Sequence, residues 1–328
     1  MRSIGRTLIR LWQNYWKAFF VIGSLIVVGV AIWVVIFSVP PSDFPDRKIV
    51  EIKQGMYLSQ VADILESKHI IKSTFIFKVS VVLMSGYREV QAGDYLFDHP
   101  ESVLKIAYRT VNGIQGLSKI KVTLVEGLTV KAMGSIIKKN ITGFDMEKFL
   151  LLAKPLEGYL FPDTYFFYEN ASPEQVIEMM TENHNQKMKT ALLDIQALGK
   201  PVKDVVIMAS IVEKEATSSV DRRIIAGILW KRIASGMALQ VDPPFYYILG
   251  KDSAHLTMDD LKMNSPYNLY RNKGLPPTPI SNPGIGAIID TARPTSTKYW
   301  FYLSDKKGNM HYAATYEGHL ANKRKYID

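Results

Sequence analysis

From Ala18 to Val39 the chain reads AFFVIGSLIVVGVAIWVVIFSV, a stretch without a charged side chain. Coiled as a helix, it is long enough to cross about 30 Å of hydrocarbon. Backbone inside lipid must satisfy its own hydrogen bonds, so the stretch predicts a single membrane-spanning helix over 18–39 and decides where everything after it can fold. Arg2, Arg6, Arg10 and Lys17 precede it with no acidic residue among them, whereas Asp43 and Asp46 mix with Arg47 and Lys48 on the far side. That asymmetry places residues 1–17 in the cytoplasm and the body of the chain outside it. Trp12, Tyr15 and Trp16 fall where an interfacial belt is expected. The apolar core exceeds that of a cleaved signal, and Phe37-Ser-Val-Pro-Pro41 offers no small-x-small cleavage site. Formal net charge is +9, but four of the positive charges belong to the N-terminal flank. The exported part is only moderately basic, and its placement excludes a nucleic-acid partner.

With 328 residues the chain exceeds one usual domain, so two or more folded units are expected after the span. Cysteine is absent, which removes disulfides, thiolate catalysis and cysteine-bound zinc. Past the Pro40-Pro41 linker, Ile49–Ile52 predicts a strand and Gly55 a turn. Leu58, Val61, Ala62, Ile64 and Leu65 then fall at helical spacing. The pattern recurs: Leu124 and Val125, Gly127, then Val130, Met133, Gly134, Ile136 and Ile137 at matching offsets. Between the two copies, Phe75–Met84 predicts a helix, Gln91–Phe97 a strand and Ser102–Val111 a helix. Residues 48–155 are therefore expected to form an α+β region of repeated strand–helix units. Such units resemble the LysM-like modules that bind cell-wall glycan.

A change of composition at Leu156 opens a second region, 156–328, also read as α+β. Leu156-Glu-Gly-Tyr-Leu-Phe-Pro-Asp-Thr-Tyr165 sets Glu157 and Asp163 among aromatic and apolar anchors, a composition suited to a carbohydrate cleft as well as to a core edge. Pro173 to about Leu198 reads as a long helical stretch and Ile224–Ile233 as a helix ended by Gly236. Leu239–Pro244, Asn264–Asn268, Gly274–Pro277 and Ile280–Gly284 carry the residues of loops. Lys298–Leu303 and His311–Ala313 read as strands turning at Lys307-Gly308. In the middle lies Val205–Ala216, an almost wholly apolar run that closes on Glu213 and Glu215. Apolar residues on all sides predict a buried helix, and burial raises a carboxyl pKa, which is how a general acid is made. Positions two apart on a helix diverge by roughly 200°, so both glutamates cannot serve one substrate bond. Pattern alone does not choose between them, and a buried ion pair with Lys214 or Arg222-Arg223 fits the same spacing.

Taken in order, Leu156–Tyr165, Ala209-Ser-Ile-Val-Glu-Lys-Glu215, Leu239-Gln-Val-Asp-Pro243, Ser265-Pro-Tyr-Asn268, Gly274-Leu-Pro-Pro277 and Asn282-Pro-Gly284 resemble the YceG-like endolytic murein transglycosylases, the MltG family. The resemblance implies a single-pass protein of the bacterial cytoplasmic (inner) membrane with its catalytic domain, 156–328, outside the cytoplasm. It implies cleavage of the β-1,4 bond between N-acetylmuramic acid and N-acetylglucosamine, with closure of a 1,6-anhydro ring in place of attack by water. Of the two glutamates it makes Glu215 the general acid and then base, and leaves Glu213 as a structural carboxylate. Candidate sugar contacts are Glu157, Gln240, Asp242 and Asn268 through hydrogen bonds and Tyr165 and Tyr267 as stacking faces. No metal or cofactor is implied, and the partners are glycan strands, the membrane and peptidoglycan synthases. Ala216 and Pro244 stand where the family commonly has threonine. Two other classes fit the same chain: a non-catalytic wall-binding scaffold that recruits synthases, and a lysozyme-type hydrolase with Asp242 as second carboxylate. Other chemistries lack their motifs, since neither His-Glu-x-x-His nor Gly-x-Ser-x-Gly occurs.

Overall fold

A computed structural model describes residues 15–327 except 17, 19, 30, 31, 33, 34, 46, 86–89 and 252. Residues 1–14 and Lys17, and with them Trp12 and all four basic residues of the N-terminal flank, lie outside the described residues. So do Phe19, Val30, Ala31, Trp33 and Val34 of the expected span. Residues 20–29 and 35–38 are helical, and among the described residues no helix is long and apolar enough to cross a membrane. The chain divides into two compact units, Met1–Ser118 and Lys119–Asp328.

In the first unit β1 (Lys48–Ile52) pairs antiparallel with β2 (Gly93–Phe97), Val50 opposite Tyr95. Val50 and Ile52 point inward while Ile49 and Glu51 face out, as the two-residue period of a strand requires. Gly55, at φ 81°, turns the chain into α1 (Leu58–Ser67), which buries Val61, Ala62 and Leu65. With α2 (Thr74–Ser85) and α3 (Val103–Val111) these close a core that includes Phe77, Tyr95 and Phe97. Arg109 is buried and ion-paired with Glu101 at 2.6 Å, and it donates to the carbonyls of Leu96 and Gln115.

The second unit begins with the repeat. β3 (Lys119–Thr123) leads through Gly127, at φ 74°, into α4 (Val130–Asn140). A strand, a glycine turn and an amphipathic helix thus occur twice, but the second strand ends at Thr123, short of the Leu124 and Val125 expected to form it. The expected boundary at 155/156 does not fall between compact units, however. β3 pairs antiparallel with β4 (Thr164–Tyr168), Thr123 opposite Thr164. Both strands join α4, α5 (Met146–Ala153) and α6 (Pro173–Met188) around Val122, Met133, Phe149 and Phe167. The stretch read as one long helix is broken. It ends at Met188 with turns closed by Thr190 and Ala191 N–H on Lys187 and Met188 carbonyls, and resumes as α7 (Leu192–Leu198).

The rest of the unit is built round α8 (Val202–Glu215), in which Val205 to Val212 are all buried. α9 (Ser219–Ala234) and α12 (Ile285–Ala292) pack against it, and α10 (Pro243–Leu249) and α11 (Met258–Lys262) lie between them in sequence. A hairpin of β5 (Phe301–Ser304) and β6 (Met310–Ala313) is followed by α13 (Tyr316–Tyr326). The hairpin matches expectation, whereas nothing in the sequence reading marked α13.

Candidate active site

α8 stops at Glu215 because Ala216 turns extended, φ −152° and ψ 149°, while its N–H still closes on Val212. Both glutamates therefore sit in the last turn, on different sides of the helix. Glu213 accepts the Gly284 N–H at the start of α12, at 2.9 Å, and lies 3.6 Å from Arg222. Arg222 is itself 2.8 Å from Asp290. Burial raises the Glu213 pKa, and Glu126 adds to the rise while Gly284, Arg222 and Lys214 oppose it. Glu215 instead opens on a cleft of about 480 Å³ with Gln240 and Asp242 on one wall and the β5–β6 hairpin with α13 on another.

Glu215 is pushed up to about 7 by burial first and by the Asp242 charge second, with Tyr302 and Arg232 pulling the other way. Asp242 occupies the N-cap position of α10 and accepts the Tyr270 hydroxyl at 2.6 Å. Burial and that bond raise the Tyr270 pKa, so it stays a donor. Arg232, buried on α9, donates from Nε and Nη2 to the Trp300 carbonyl at 3.0 and 2.6 Å and from Nη1 to the Leu239 carbonyl. One guanidinium thus ties the loop that carries Gln240 and Asp242 to the segment entering β5. Gln240 is held at φ 49°, a left-handed conformation that costs a non-glycine residue about 1–2 kcal/mol. Phe301, Tyr316 and His319 line the cleft as an aromatic wall, with His319 stacked on Phe301 at 5.4 Å.

Of the residues chosen from sequence, the structure brings Glu215, Gln240 and Asp242 together. The other four are engaged elsewhere and do not line that cleft. Glu157 is 5 % exposed. It accepts the Val130 N–H at 3.0 Å and the Asn282 amide at 2.8 Å, and burial raises its pKa to about 7. Tyr165 belongs to the β3–β4 core, its hydroxyl donating to the Phe161 carbonyl at 2.7 Å. Asn268 is fully buried and donates to the Leu261 and Met263 carbonyls, both at 2.9 Å. Tyr267 packs against the α8 core and shares a 2.7 Å hydrogen bond with Thr278. Much of the motif set thus builds the frame. Asn282 alone also takes the Gly158 and Leu160 N–H groups, at 2.9 and 3.0 Å. Sequence reasoning missed Arg232, Tyr270 and Tyr302. For Arg232 a faint signal existed, a charged side chain continuing the apolar Ile228-Leu-Trp230 run of a helix.

A glutamic acid that keeps its proton to near neutrality, beside a second carboxylate and an aromatic wall, is the equipment of a general acid–base enzyme. The model of the YceG-like family matches residues 50–325, and the chain belongs to that family. It is 30% identical over 305 residues to the endolytic murein transglycosylase of Bacillus subtilis (strain 168), covering 85% of this chain and 84% of that one. A Streptococcus pneumoniae protein of the same name is 29% identical over 212 residues, which span 63% of this chain and 35% of that longer one. The crystal structure of a putative YceG-like protein from Listeria monocytogenes superposes with a TM-score of 0.58 at 29% identity, covering 84% of this chain and 99% of that one.

Proposed function

We propose that this protein is an endolytic peptidoglycan lytic transglycosylase with Glu215 as general acid and then base. The observation that carries the reading is a single glutamic acid, raised to about 7, at the head of an aromatic cleft in a chain whose relatives bear the name endolytic murein transglycosylase. Protonated Glu215 donates to the glycosidic oxygen as the bond to the muramyl C1 breaks. As carboxylate it takes the proton of the muramyl C6 hydroxyl, whose oxygen closes on C1. General acid–base work of this kind contributes about 10²- to 10⁴-fold. Gln240 and Asp242 are placed to hydrogen-bond sugar hydroxyl or acetamido groups. Tyr316, 56% exposed, offers the stacking face that Tyr165 and Tyr267 do not. A lysozyme-type hydrolase would need Asp242 as a free second carboxylate, and the Tyr270 hydroxyl occupies one of its oxygens.

The uncharged run 18–39 and its basic flank support a single-pass anchor with the N-terminus in the cytoplasm, and the strand, glycine turn and helix that occur twice within 48–155 support a wall-binding region of LysM-like kind. The deciding experiment is mass spectrometry of glycan strands digested with the full-length protein. Anhydro-ended products support the proposal, reducing ends would turn it into a hydrolase, and uncut strands would leave the scaffold.

A further inference from the structure

Glu215 has to change charge twice in the reaction proposed above. The charged and titratable groups that face it therefore divide into those that resist the carboxylate and those that favour it. Burial and Asp242 resist it. Arg232 favours it from a distance, since Nε, Nη1 and Nη2 all hold backbone carbonyls. Tyr270 is committed to Asp242. His319 is kept neutral by burial, then by Arg232 and Lys323, with its ring stacked on Phe301.

Tyr302 remains. It stands on β5 opposite Tyr312 and lines the cleft with Glu215. Its hydroxyl is sealed from solvent and makes no hydrogen bond of good geometry, yet it lies near enough to the Glu215 carboxyl to favour that group's charged form. An unpaired buried hydroxyl costs about 1–3 kcal/mol, and such a group needs a reason to be kept. A phenylalanine would fill the same space without that penalty. A donor that is idle while its neighbour is protonated gains a strong, charge-assisted partner once that neighbour is a carboxylate.

We propose that Tyr302 is the positioning residue of Glu215, its hydroxyl donating to the Glu215 carboxylate in the interval between proton donation and proton return. The glutamic acid gives its proton to the glycosidic oxygen, the C1–O4 bond breaks and the leaving sugar departs as an alcohol. The Tyr302 O–H then holds one carboxylate oxygen, which leaves the other aimed at the C6 hydroxyl. The C6 proton passes to Glu215 as the O6–C1 bond forms, and the Tyr302 bond is released. Tyr302 keeps its own proton throughout, because burial and then the Glu215 charge raise its ionisation well above the usual tyrosine range.

The inference rests on Glu215 being the acid and base, so the test runs both residues side by side, using full-length protein in detergent on soluble glycan oligomers of defined length. For Tyr302→Phe we expect turnover to fall about 10- to 100-fold, half-saturation to change less than about twofold, and thermal stability to hold or rise as the orphan hydroxyl is removed. The pH profile carries the sign. Activity needs protonated Glu215 at the start and so falls as pH rises through its pKa. Removing a group that favours the carboxylate moves that fall to higher pH. Incorporation of 3-fluorotyrosine at 302 strengthens the donor without changing the shape, and the fall should move to lower pH. A Tyr302→Phe protein with unaltered rate and pH profile, or a slower one whose profile does not move, overturns the inference while Glu215→Gln stays inactive. Cleavage by Glu215→Gln would instead bring down the reading of Glu215 and this one with it.

Discussion

Glu213 and Glu215 share a helix turn but answer to different neighbours, and substitution should separate them. Glu215→Gln removes a carboxyl whose charged form the cleft disfavours. We expect the unfolding temperature to hold while cleavage falls by at least about 10². Glu213→Gln weakens the tie to Arg222 and the Gly284 N–H; it should lose about 1–2 kcal/mol of stability and keep cutting at permissive temperature. The opposite pattern in activity and calorimetry would exchange the roles. Glu157 predicts a pH effect. Its pKa rises from 4.5 to about 7 on burial, so the folded chain binds the proton more tightly than the unfolded one. That contribution is complete below the unfolded value and is lost as pH rises through about 7. Glu215 titrates in the same window, so Glu157→Gln is best read in a Glu215→Gln background. There it should flatten a decline of on the order of 2–3 kcal/mol between about pH 5 and pH 8, measured by urea unfolding; an unchanged slope would show that Glu157 does not titrate there. Gln240 and Asp242 lie in a loop whose composition marks it, and local pattern singles out the end of α8 with both its glutamates, the choice of Glu215 over Glu213 coming from the family resemblance. Tyr302 was not legible, because it reaches the cleft from a strand far off in the chain, and Arg232 was not, because a basic residue in the last turn of a helix ordinarily faces water or the helix dipole. Glu157, Tyr165, Tyr267 and Asn268 misled for a physical reason: residues that tie loops together are the same types that bind sugars.

The cleft is a product of how helices and hairpin are held to one another. Gly227 on α9 lets the following chain lie close, since an added Cβ would stand 2.1 Å from the Thr295 carbonyl oxygen. The Thr295 N–H is bonded to Arg223 on the same helix. Gly227→Ala should therefore push away the segment that brings Trp300 to Arg232 and Tyr302 to Glu215. Overpacking of this kind costs about 1–3 kcal/mol, and activity measured well below the unfolding temperature should fall too. Full activity at reduced stability would mean that the hairpin seats itself without that contact. Gln240 gives the reverse prediction. Glycine at 240 relieves the left-handed strain and should add about 0.5–1 kcal/mol by urea unfolding, while binding to glycan weakens with the loss of the amide. Elements legible in the sequence are those whose signal is local: the first strand, the glycine turn and helix of both repeats, the apolar α8 and the final hairpin. The β3–β4 ladder was not, because its strands are separated by two helices and no local pattern names a partner. α13 escaped because Asn322, Lys323, Arg324 and Lys325 leave it without an apolar periodicity, and it covers the cleft with Tyr316 and His319 instead.

At the scale of the molecule, the proposed anchor and the first unit precede the catalytic unit in the chain and should govern where it cuts. The proposed topology is tested directly by protease added to spheroplasts, which should digest the body of the protein; full protection would remove the anchor from the argument. Separating the catalytic unit requires the right boundary. A fragment beginning at Leu156 loses β3, α4 and α5, and with them Val122, Met133 and Phe149 from the core that β4 and α6 need. It should be insoluble or unfolded by circular dichroism, whereas a fragment beginning at Lys119 keeps a whole compact unit and should melt cooperatively. With that fragment the question of reach can be asked. A chain held to the bilayer meets nascent strands near the membrane, so the full-length protein in membranes should release few, long anhydro-ended products of narrow length distribution. The Lys119 fragment, free to approach any bond, should give shorter products over a broader range. Chromatography of the released strands with mass detection reads both. Disaccharides alone from the full-length protein would exclude cutting within strands, and identical distributions from the two forms would show that the cleft alone chooses the bond and that residues 1–118 serve another purpose.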